Sequence, residues 1–122
     1  LPPYLDEVFQ LYEVPEDQRA EIIRYACHHP GVTRALRDTV PELERVFGKN
    51  RRRRLDLFQF EDGGGDEQLL GVVLIEKFPQ NAFELEQQFY RAFFSKVPRE
   101  VHPFLSFLFL ASMWLPKIDP SI

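Results

Sequence analysis

Cys27, His28 and His29 stand consecutively, and a third histidine, His102, lies far along the chain. Thiolate and imidazole are zinc ligands, and paired they form a nucleophile with its base. Successive residues on a helix diverge by about 100°, so three in a row do not converge on one ion unless the helix ends there. There is no second cysteine and no metal-ligand spacing. The spacing predicts a buried Cys27 and two helix-ending histidines; no metal, cofactor or catalytic centre is expected.

The sharpest charge feature is Lys49 followed by Arg51, Arg52, Arg53 and Arg54. Adjacent guanidinium groups grip phosphates, so this run is a candidate anion or nucleic-acid contact. On a strand, however, Arg51 and Arg53 point one way and Arg52 and Arg54 the other, which splits the patch. The plainer expectation is a solvated strand start, partly paired with Glu61, Asp62, Asp66 and Glu67 across a hairpin. Gly63, Gly64 and Gly65 are read as the hairpin tip, because a phosphate loop needs a helix after its glycines and here an apolar strand follows. Glu84 and Glu86 lie on an acidic helix face with no feature that would raise a carboxylate pKa.

A third feature is aromatic. The segment from Ala82 to Lys96 carries one apolar stripe of Ala82, Leu85, Phe89, Ala92 and Phe93. A second stripe of Phe83, Tyr90 and Phe94 lies beside it, and a helix packed on one sheet does not need both. The second stripe is therefore a candidate interaction surface, with burial under the N-terminal helices as the alternative.

The elements that position these groups follow from periodicity and breakers. Tyr4–Tyr12 has Leu5, Val8, Phe9 and Tyr12 on one side. Pro15 opens a helix to about His28, expected to bury Ala20, Ile23, Ala26 and Cys27. A third helix from Val32 is expected to be interrupted at Pro41 and to end at Gly48. Two apolar runs around the Gly-rich loop predict a hairpin, and the uncharged run Leu69–Ile75 predicts a central strand covered on both faces. Asn81 with Glu84 resembles a helix N-cap pair opening Ala82–Lys96. Phe104–Ala111 is read as a third strand, although Leu, Ala and Met favour helix and Pro103 and Pro116 sit at helix-boundary positions.

Composition bounds the class. The 122 residues suffice for one domain, with 44% hydrophobic and 28% charged content, twelve Phe and net charge −4. An acidic balance disfavours bulk affinity for nucleic acid or anionic membrane. One cysteine fits a reducing compartment, Leu1–Gln10 lacks a signal-peptide pattern, and no apolar run approaches the length of a bilayer span. A cytoplasmic protein without membrane contact is expected.

From Pro41 onward the order of features resembles a group of small uncharacterised bacterial proteins. It rests on Val46-Phe47-Gly48, Leu55-Asp56-Leu57, Glu61-Asp62, Leu69–Ile75, and Phe89-Tyr90 with Phe93-Phe94. Gly63 stands where that group usually has Pro, and Phe93-Phe94 where it often has a Trp pair. The resemblance implies a last strand after the aromatic helix, and a small accessory or partner-binding protein of toxin–antitoxin-like loci.

Together these readings predict one α+β domain: about three short helices over 1–48, then a β-β-α-β unit over 49–122 with Leu69–Ile75 central. The expected function is a non-enzymatic protein-interaction or accessory module that binds a protein partner or itself. The alternative is a nucleic-acid-associated regulator using the Arg51–Arg54 run.

Overall fold

A computed structural model describes residues 2–59, 67–75 and 79–111. Helices α1 (Leu5–Leu11), α2 (Arg19–His28) and α3 (Gly31–Phe47) come first, then strands β1 (Arg52–Gln59) and β2 (Glu67–Ile75). Helix α4 (Ala82–Lys96) and a 3-10 turn (Arg99–Phe104) lead into β3 (Leu105–Ala111). The fold is α+β, with the helical part N-terminal. The hairpin tip, including Glu61, Asp62, the three glycines and Asp66, lies outside the described residues.

Among the described residues the sheet has order β1-β2-β3, with β2 antiparallel to β1 and parallel to β3. The apolar run Leu69–Ile75 is therefore the middle strand, as its lack of alternation predicts. Leu69, Val72, Val73, Leu74 and Ile75 are all buried, each contributing about 1.5–3 kcal/mol from apolar area removed from water. Leu69, Val73 and Ile75 join Phe107, Phe109 and the helices in one core cluster. On β1, Leu55 is buried against this layer while Phe58 is exposed, which decides the face that the sequence left open. Residues 105–111 form a strand, as read, because their alternate residues Leu105, Phe107, Phe109 and Ala111 face the core.

Register brings Gly71 opposite Phe107. A Cβ at Gly71 would stand 2.5 Å from the Phe107 ring, so only glycine lets that ring lie against β2. The ring is then fixed edge-on to Phe89, at 5.0 Å, and to Phe93, at 5.7 Å. Gly48 ends α3 with φ 96° and its N–H donated to the Glu44 carbonyl, the C-terminal cap expected there.

Three local expectations need correction. Helix α3 runs unbroken through Pro41. Pro41 sits on the exposed face, so the bond its missing N–H costs faces water and not the core. Helix α2 buries Ile22, Tyr25 and Ala26, while Ala20 and Cys27 are exposed and Ile23 is half-buried. Tyr25 turns the helix: its hydroxyl donates to the Phe104 carbonyl at 2.8 Å, so the ring is buried with its polar end satisfied. Asn81 occupies the N-cap position of α4, but its side chain makes no capping hydrogen bond.

Candidate interaction surface

Helix α4 exists because its inner stripe has a sheet to cover. Phe89 and Phe93 are buried, packed on Phe107, and Phe89 also on Phe109. Once they face inward, the helical rotation of about 100° per residue fixes every other side chain. Phe94 follows Phe83 by eleven positions, three turns plus about 20°, so the two rings share a face about 16 Å apart. That face points to solvent. Phe83 is 72% exposed and Phe94 57% exposed.

Tyr90 lies between them and is half-buried. Its hydroxyl donates to the Phe107 carbonyl, tying the outer stripe to β3. Burial, then the Glu86 charge, raises its pKa, so it stays a neutral donor. The Phe94 ring stacks on Tyr90 at 5.9 Å and meets His102 edge-on at 5.1 Å. His102 is itself held by its Nε2, 2.9 Å from the Val97 carbonyl. Thus Phe94 is exposed yet supported from beneath, whereas Phe83 stands further out. Of the three residues singled out in the sequence, two form an open surface and the third anchors it.

The same face carries Gln87, with Glu84 and Arg91 along one margin, all exposed. The sequence pattern placed Glu84 on an acidic helix face and singled out neither Gln87 nor Arg91. The signal for them is the spacing 83, 87, 90, 94, alternating four and three, which is a heptad seam with Glu84 and Arg91 at its flank.

The arginine run is split as its alternation requires. Arg51 donates from Nε to the Phe47 carbonyl and Arg53 from Nε to the Leu11 carbonyl, both toward the helical layer. Arg52 forms a two-pronged pair with Glu13 at 2.9 Å. Glu13 is brought there by a backbone bridge, with its N–H on the Arg53 carbonyl and its carbonyl taking the Leu55 N–H. The outer edge of β1 is therefore partly covered by the segment after α1. Arg54 Nε is buried without an acceptor among the described residues. The expected pairing with Glu67 is not made: Glu67 binds Arg24 from α2 at 2.8 Å. Lys49 is exposed at the end of α3.

The histidines are also dispersed. His28 Nδ1 lies 2.8 Å from the Arg24 carbonyl, and His29 stacks on Phe104 at 4.0 Å. Burial, then the His28 charge, lowers the His29 pKa. Cys27 is exposed, contrary to the buried role expected of it.

A cleft of about 510 Å³ separates α3 from α4, floored by Ala35, Phe93 and Val97. Its buried carboxylate, Glu42, is bound by Lys96 on one oxygen and by Arg45 on the other. Lys96, then Arg45, holds the Glu42 pKa below the ordinary carboxylate value. This makes Glu42 a latch between the two helices, unsuited to accepting or releasing a proton near neutrality.

Compared with protein-family models, characterised proteins and solved structures, the chain finds no match. Among the described residues no helix is long and apolar enough to cross a membrane.

Proposed function

We propose that this chain is a non-enzymatic interaction module whose contact surface is the outer stripe of α4, with Phe83 and Phe94 as anchors. The observation that carries this reading is the exposure of both rings, 72% and 57%, on one face of a helix whose inner stripe is already buried. Each aromatic buries about 150–250 Å² when covered and loses little side-chain entropy, so one or two dominate an interface. Tyr90 keeps the surface rigid through its bond to β3, which lowers the ordering cost of association. A small accessory or partner-binding protein, in the toxin–antitoxin-like setting that the sequence resemblance implies, fits this role. The single Cys27 suits a reducing, cytoplasmic setting.

The arginine run supports a nucleic-acid surface less well. Three of its four side chains donate to groups within the chain, and Glu13 offsets the charge of Arg52.

The test is to replace Phe83 and Phe94 singly by Glu and compare association with the wild type. A partner is first captured on the wild-type protein and purified, a second copy of the chain being one such partner. Each variant is expected to lose the partner and keep a cooperative melt. A partner retained by both folded variants would defeat the reading.

A further inference from the structure

We propose that the partner seated on this stripe is a second copy of the chain, packed α4 against α4 in antiparallel, two-fold fashion. The inference rests on the reading of α4 as the contact surface and names what covers it.

The seam is Phe83, Gln87, Tyr90 and Phe94, the d-a-d-a positions of a heptad pattern. In an antiparallel pair each a position meets a d position of the other helix. Phe83 of one copy then meets Phe94 of its partner, and Gln87 meets Tyr90, each contact occurring twice. One register therefore satisfies the whole stripe. The aromatic ends cover each other, and Gln87 lies over the Tyr90 ring, whose hydroxyl stays on β3.

The charges at the margin fit the same register. A two-fold axis perpendicular to both helices leaves each flank on its own side, so e positions face e positions. The e positions here are Glu84 and Arg91, of opposite sign and both exposed. Glu84 of one copy therefore faces Arg91 of its partner, twice. Within the described part of the chain neither has an ion-pair partner. By contrast, Lys96 and Arg24 are paired internally with Glu42 and Glu67. Glu84 and Arg91 thus complement each other across a copy, while Glu86, on the opposite flank, lies half-buried beside Tyr90. Antiparallel packing also sets the two helix dipoles head to tail.

The contact is short. A helix of 15 residues is about 22 Å long, which places the interface at the small end of specific contacts. Association is expected at micromolar concentrations and to weaken with salt, since the rim charges are exposed.

The test is sedimentation velocity on the full chain from about 1 to 500 µM, with Glu84→Arg, Arg91→Glu and the double swap. The wild type should shift from monomer to dimer. Each single reversal sets like charges together at both ends and should weaken the dimer roughly tenfold. The double swap should restore it. Melting curves accompany every sample, and Glu84→Gln with Arg91→Gln serves if a reversal unfolds the chain. There, each neutral variant weakens the dimer, and equal loss in the double variant shows that the two residues share one contact. A wild type that stays monomeric at every concentration overturns the proposal. So does a dimer indifferent to the single reversals, or one the double swap does not rescue. The broader reading fails separately, when folded Phe83→Glu and Phe94→Glu both retain their partner.

Discussion

At the scale of single residues, Gly71 is where β2 and β3 depend most on the absence of an atom. A methyl group there would stand 2.5 Å from a Phe107 carbon, and that ring is boxed in by Phe89 and Phe93. Overpacking of this kind costs about 1–3 kcal/mol. Gly71→Ala should lower stability by that amount in urea unfolding, with an unchanged slope; a neutral result would mean that the ring moves freely. His29 gives a second test. Its pKa is lowered from 6.5 by burial and by the His28 charge. The folded protein thus binds fewer protons there than the unfolded chain. The resulting stability is fully present above 6.5 and is lost as pH falls through that value toward the lowered folded one. The melting temperature should drop as pH falls below about 6.5, and His29→Phe should flatten that drop. Glu42, held below its ordinary 4.5 by Lys96 and Arg45, adds a further loss at lower pH. A melting temperature constant across the upper window would rule out the His29 account.

At the scale of elements, the helices differ in how fully local pattern determines them. Helix α4 was legible to its ends because the apolar residues of its inner stripe recur at helical spacing over the full fifteen residues. Helix α3 was not, since a proline mid-helix ordinarily marks a boundary. Its persistence reflects the burial of Val32, Leu36, Val40, Leu43 and Phe47 on one side, which outweighs one missing bond on the other. Pro41→Ala restores the N–H that would bond the Arg37 carbonyl. It should stabilise the protein by about 1–3 kcal/mol. A loss of stability would show instead that the proline shapes the helix. Helix α2 was misread by about one residue of rotation, because burial of Tyr25 depends on an acceptor at Phe104, remote in sequence.

At the scale of the whole molecule, the order of elements and the central strand were readable from apolar runs and breakers. What crosses the chain was not. The parallel pairing of β3, the bridge of Glu13 onto β1 and the Arg24–Glu67 pair all join residues that no local pattern relates. The exposed stripe lay between these limits. Its existence followed from too many aromatics on one helix, but its openness depended on where the N-terminal helices pack. They contribute to the core beneath Phe89 and Phe107 and leave Phe83 and Phe94 uncovered. The claim that this stripe is the contact surface between two copies of the chain is tested most directly by sedimentation velocity of Phe94→Glu beside the wild type, with a melting curve for each. A wild type that associates and a variant that stays monomeric with a near wild-type melt is the expected result. A variant that unfolds, or that associates as the wild type does, would contradict it.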